Sequence, residues 1–169
     1  LDQDGKPVFA DESGAPTKTL FHGVGGLLAT MPDMMLLFAP HANSYRRFRK
    51  NSHAPESAGW GMDDRSAAVR VITGKPTETR IEQRVSGADC NPYLAVAGIL
   101  AGVLHGITHK IEPGSALDPA DCGTAGLPLP LEWGQAIERF AASKTVEALF
   151  GASVHNMIVA CKRQDYDGM

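Results

Sequence analysis

The sequence is short of cysteine, of net positive charge and of long uninterrupted apolar runs, and each shortage removes a class of protein. Its three cysteines, Cys90, Cys122 and Cys161, are an odd, scattered set with no C-x-x-C spacing, so neither a disulfide framework nor a zinc site is indicated. None has a histidine partner at a motif spacing, which leaves no case for thiol catalysis. A reducing, cytoplasmic setting is expected. The net charge of −3 argues against a general nucleic-acid binder, because such proteins carry an excess of Lys and Arg on one face. The most apolar stretch, between Pro92 and Lys110, falls short of the roughly 20 residues that a membrane-spanning helix needs, and no membrane partner is expected. No basic-plus-apolar leader opens the chain. Residues Leu1 to Lys6 read as the end of a strand entering a turn, as though the chain began inside a domain. Internal repeats are absent.

What is present can bury one core: 169 residues, 43% of them apolar. The turn at Asp4-Gly5, followed by Pro7 to Ala10 and a polar loop to Lys18, predicts a short hairpin strand. Leu20 to Met31 and Met34 to Phe38 predict two helical segments divided at Pro32. His41 to Asp63 is a long stretch with no sustained period, of the kind that often carries function. Ala67 to Ile72 and Thr79 to Val85 predict a β-hairpin around Gly74-Lys75-Pro76. Asn91-Pro92 supplies a cap and a first-turn proline for a helix to about Lys110, uncharged before that lysine and therefore expected to be largely buried. A Pro/Gly/Asp-rich linker from Glu112 to Pro130 leads to helices over Leu131 to Phe150 and Ala152 to about Gln164. The expected fold class is α+β, with antiparallel strands packed against helices.

Arginine placement is the most informative feature. Seven of the nine arginines, Arg46, Arg47, Arg49, Arg65, Arg70, Arg80 and Arg84, fall between Asn43 and Arg84. A guanidinium offers a planar fork that grips carboxylate or phosphate through two parallel hydrogen bonds, so anionic ligands are implied. In Arg80-Ile81-Glu82-Gln83-Arg84-Val85, strand alternation sets Glu82 between Arg80 and Arg84 on one face. Alone, that pattern favours a solvated salt-bridge ladder, and only the two further arginine-bearing segments, Asn43 to Phe48 and Asp64 to Arg70, raise the anion reading above it. A poorer alternative, single-stranded RNA stacked on Tyr45, Phe48 and Trp60, conflicts with the acidic remainder of the chain.

Four motifs occur in order: Asn43-Ser44-Tyr45-Arg46-Arg47, Asp64-Arg65-Ser66-Ala67-Ala68-Val69-Arg70, Arg80-Ile81-Glu82-Gln83-Arg84 and Asp89-Cys90-Asn91-Pro92-Tyr93-Leu94. In this order they resemble the C-terminal part of the glutamine synthetase family's catalytic domain. The resemblance extends loosely over nearly the whole chain. It implies that residues 1–169 form a C-terminal fragment of that domain, with its first part and the N-terminal β-grasp domain absent. It implies an ATP-dependent amide ligase that activates L-glutamate as γ-glutamyl phosphate for attack by ammonia or an organic amine. Arg47, Arg65 and Arg84 would bind substrate, Arg65, Arg70 and Arg80 the nucleotide, and Glu82 the Mg²⁺ or Mn²⁺. Arg65 and Arg84 would also act in catalysis. The complete protein would form a homo-oligomeric ring. The isolated fragment, with one metal ligand, is expected to be inactive.

Two departures bear on function. The family's Glu-Ala-Pro is His53-Ala54-Pro55 here. His53 can act as a base near neutral pH, but it lacks the fixed negative charge that selects ammonium. With Trp60 in Gly59-Trp60-Gly61, this leans toward the branch that joins glutamate to amines such as polyamines, typified by the γ-glutamylputrescine synthetases. Asp64 replaces the family's usual Asn beside Arg65. The alternative reading is a non-catalytic nucleotide-binding or regulatory homologue. His22, His41 and the pair His105 and His109 are read as packing residues, and the methionines as core filler.

Overall fold

The structure, a computed structural model, describes residues 1–49, 52, 54–118 and 126–168. Cys122 and His53 lie outside the described residues. The centre of the molecule is α1 (Lys18–Phe38), which starts where the Thr17 hydroxyl accepts a hydrogen bond from the Leu20 amide. The predicted break at Pro32 does not occur, and one helix runs through it. A proline inside a helix loses one backbone hydrogen bond and costs about 3 kcal/mol. Burial outweighs that cost: Leu20, Leu27, Met31, Met34, Met35, Leu36 and Phe38 are all 1% exposed or less, and each such side chain contributes roughly 1.5–3 kcal/mol.

A 3₁₀ helix (Ala42–Arg47) follows, and then short strands β1 (Ser57–Ala58) and β2 (Trp60–Met62) within the stretch that had no sequence period. Strands β3 (Val69–Ile72) and β4 (Arg80–Gln83) form the expected antiparallel hairpin, with Arg70 opposite Glu82 and Val71 opposite Ile81. Strand β2 pairs with β3 in parallel, so the three-stranded sheet is mixed, in the order β2-β3-β4. The hairpin expected near the N-terminus is reduced to one bridge, Ala10 to Pro16.

Helix α2 (Pro92–His109) begins as predicted, with the Asn91 side chain accepting from the Tyr93 and Leu94 amides at 3.0 and 3.3 Å. Gly98, Gly102 and Gly106 let it press against α1. A Cβ on Gly26 of α1 would collide with the backbone of Gly102 and Gly106. The expectation of a buried α2 is wrong on its other face, where Tyr93 is 85% exposed, Leu104 61%, Leu100 56% and Val96 53%. Absence of charge marked a face that avoids water, but not what covers it.

Strand β5 (Leu127–Pro128) pairs antiparallel with β1. The last helical region divides into α3 (Trp133–Ala142), α4 (Lys144–Phe150) and α5 (Ala152–Asp167). Ser143 makes the division: its hydroxyl accepts from the Val146 amide, starting α4, and donates to Asp33 of α1 at 2.7 Å.

Candidate anion-binding site on the arginine face

The β3–β4 hairpin has two chemically different faces because strand side chains alternate. Val69, Val71 and, just beyond β4, Val85 are fully buried beneath it. Arg70, Glu82 and Arg84 occupy the other face. Glu82 stands between the two guanidiniums, 3.5 Å from Arg70 Nη1 and 3.1 Å from Arg84 Nε. The sequence placed Arg80 on the Glu82 flank, but Arg80 is exposed and donates instead to the Glu78 carbonyl at 2.9 Å. Cross-strand register puts Arg70 there in its place.

Arg70 is also held by Asp63, to which its Nε donates at 3.0 Å and its Nη2 donates as well. The Asp63 hydrogen bond raises Arg70 above its ordinary pKa. Asp63 has a left-handed backbone, φ 51°, and its amide bonds the Val71 carbonyl at 2.8 Å. The sequence drew attention to its neighbour Asp64, whose carboxylate turns inward to the Ser66 amide and hydroxyl, both at 2.7 Å. Arg65 is exposed and has no hydrogen-bond or ion-pair partner among the described residues.

Arg47 arrives from the 3₁₀ helix, its guanidinium lying 4.6 Å from the centroid of the Phe48 ring. Its Nη2 donates to the carbonyl of Val85, the residue after Arg84. Burial lowers the Arg47 pKa, while the nearby Asp89 carboxylate acts in the opposite direction. A guanidinium stays charged under such shifts. Arg47 Nε and Arg84 Nη1 are both buried with no hydrogen-bond partner among the described residues. Buried charged donors rarely go unsatisfied, because each forfeits its hydration. Two of them, from arginines joined through Val85, are suited to an anion.

For a metal the fit is poor within this chain. The described residues contain no group of three or more His, Cys, Asp or Glu able to hold an ion, and both Glu82 oxygens face arginines. A divalent cation here would require further oxygen ligands.

The RNA reading fails on burial: Tyr45, Phe48 and Trp60 are 7%, 7% and 8% exposed, so none offers a ring face for a base. Trp60 packs edge-on against Phe21, and its indole N–H donates to the Gly114 carbonyl at 3.2 Å. His22 bonds Glu112 at 3.1 Å, and the rings of His109 and His105 lie with centroids 4.4 Å apart, tilted at 43°. Residues Ser44, Asp63, Gly87 and Asp89 shape the site and were not picked out as site residues from the sequence. Ser44 and Asp89 belong to two of the four motifs, which was the available signal.

The fold and this face define an α+β protein whose small sheet carries guanidiniums on its outer face. The chain belongs to the glutamine synthetase family: residues 1–169 match its catalytic domain. It is similar to a γ-glutamylputrescine synthetase of Escherichia coli, with 34% identity over 95% of this chain and 34% of that protein. A γ-glutamylethanolamide synthetase of Streptomyces coelicolor is 40% identical over 90% of this chain and 33% of that protein. A glutamine synthetase of Thermococcus kodakarensis is 37% identical over 92% and 37%. The solved structure of apo GmaS without ligand superposes with a TM-score of 0.81 at 27% identity, covering 99% of this chain and 40% of that one. The chain thus spans about a third of the length of these sequence relatives.

Proposed function

We propose that this chain is the C-terminal part of the catalytic domain of a longer cytoplasmic ligase that uses ATP to join glutamate to an amine through γ-glutamyl phosphate. The observation that carries this reading is the pair of unsatisfied buried donors, Arg47 Nε and Arg84 Nη1, on two arginines linked through Val85. Arg47 and Arg84 bind the glutamate carboxylate or the acyl phosphate. Arg65 and Arg70 hold the ATP phosphates, with Arg80 nearer the nucleotide. Arg65 and Arg84 also stabilise the charge that moves during phosphoryl transfer, a reaction assisted mainly by positioning and electrostatics. Glu82 contributes one ligand to Mg²⁺ or Mn²⁺, the others coming from elsewhere in the longer, ring-forming protein.

His53, in place of a glutamate, favours an organic amine over ammonium, because the loop loses a fixed negative charge. Relatives named for amine ligation and for glutamine synthesis stand at similar identity, so residues such as His53 must decide between them. The test is ADP release by the full-length protein with ATP, glutamate and a panel of amines. The proposal expects glutamate-dependent turnover with a primary organic amine. Exclusive use of ammonium removes the amine preference, and turnover indifferent to glutamate removes the proposed function.

A further inference from the structure

Arg47 sits at the end of a six-residue 3₁₀ helix, an element whose hydrogen bonds are too poor to hold a guanidinium by themselves. Its orientation comes from the connection between β4 and α2, residues 85–91. That connection is anchored to α1, where the Gly87 amide donates to the Phe38 carbonyl at 2.9 Å. From it, the Val85 carbonyl accepts from Arg47 Nη2. Three residues ahead of Arg47, the Ser44 hydroxyl donates to Asp89 Oδ2 at 2.5 Å. Ser44 also accepts from the His41 amide at 3.1 Å, so the Asp89 bond fixes the start of the 3₁₀ helix as well as its middle.

Gly87 explains how these groups come so close. A Cβ built there would lie 3.3 Å from Arg47 Nε and 3.4 Å from Nη2, and would run into Asp89 Oδ1. The bare Cα is the floor over which the guanidinium and the carboxylate approach. Asp89 grips Ser44 rather than Arg47, so Arg47 Nε has no hydrogen-bond partner among the described residues while the side chain carrying it is held.

We propose that Asp89 is a positioning residue: through Ser44, and across Gly87, it sets Arg47 in its anion-binding orientation and leaves Nε for the ligand. This rests on the reading of Arg47 as a glutamate contact. Asp89 also weakens the local positive field, so that Arg47 suits a single carboxylate group rather than the more highly charged triphosphate.

The experiment compares S44A, D89A, D89N and S44A/D89A in the full-length protein. S44A and D89A are each expected to raise the KM for glutamate about tenfold while leaving the KM for ATP within about twofold, as expected for loss of orientation at one subsite. D89N keeps an acceptor for the Ser44 hydroxyl and should stay within about threefold of wild type. The double variant should be no worse than S44A, because Asp89 acts through the Ser44 hydroxyl that S44A already removes. An unchanged KM for glutamate, or an equal rise for both substrates with a lower Tm, overturns the proposal. A crystal structure of D89A separates this inference from the substrate reading. If Arg47 leaves the Val85 carbonyl, the clamp stands even where the wild-type enzyme ignores glutamate; if Arg47 stays, the clamp is wrong whatever the substrate.

Discussion

Arg70 on β3 and Glu82 on β4 face each other directly across the antiparallel hairpin, with guanidinium and carboxylate 3.5 Å apart. Glu82 also meets Arg84 at 3.1 Å, and Asp63 meets Arg70 from its other side, so two carboxylates balance the two guanidiniums of this face. Partly exposed ion pairs of this kind contribute only about 0–1 kcal/mol each. Their contribution to folding is therefore small.

The Glu82→Gln substitution should separate folding from turnover. Thermal unfolding is expected to shift by no more than a few degrees, given about 1 kcal/mol at stake. With Glu82 as the proposed metal ligand, turnover of the full-length protein should fall by roughly a hundredfold or more. A large drop in Tm with turnover intact would assign Glu82 to structure alone.

Replacing Arg84 with lysine keeps the charge but removes the planar fork whose Nη1 is buried without a hydrogen-bond partner among the described residues. The KM for glutamate should rise roughly tenfold or more. Parallel measurement of the KM for ATP checks whether the loss is confined to the glutamate subsite.

Gly106 of α2 lies against Gly26 and the His22 carbonyl so closely that a Cβ cannot be placed. Gly106→Ala should destabilise the protein by about 1–3 kcal/mol, the usual cost of overpacking. The neighbouring Gly98 meets only side chains, Leu37 and Phe38, at 3.1 Å and beyond. Alanine at position 98 should be the milder change in a denaturant titration of both variants.

His105 is held below the ordinary histidine range, first by burial and then by His109. The unfolded chain consequently binds a proton more readily than the folded one. This contribution to stability is full above about pH 6.5 and is lost as pH falls through the lowered folded value. The variant His105→Gln should show a flatter decline in denaturation midpoint than wild type between about pH 7.5 and 5.5. An equal decline in both proteins would contradict the assignment.

Much of this site was legible in the sequence because the relevant signals are local. Alternation placed Glu82 and Arg84 on one face, and Asn91-Pro92 marked the start of α2. Signals that depend on partners distant in the chain were not legible. Arg70 replaced Arg80 beside Glu82 because register across the hairpin, rather than spacing along one strand, decides the neighbour. Strand β2 has three residues, too few for any period to show. Pro32 continues α1 because burial around it outweighs a local cost that sequence alone makes visible. Ser44 and Asp89 are 45 residues apart, and only the fold brings them together.

The most direct test of the central claim follows an oxygen atom. Full-length protein is supplied with ATP, an accepted amine and glutamate carrying ¹⁸O in its γ-carboxylate, and the released phosphate is analysed by mass spectrometry. Activation as γ-glutamyl phosphate predicts one ¹⁸O transferred to each phosphate, with the rate strongly reduced by Arg84→Ala. Phosphate released without ¹⁸O would contradict the account.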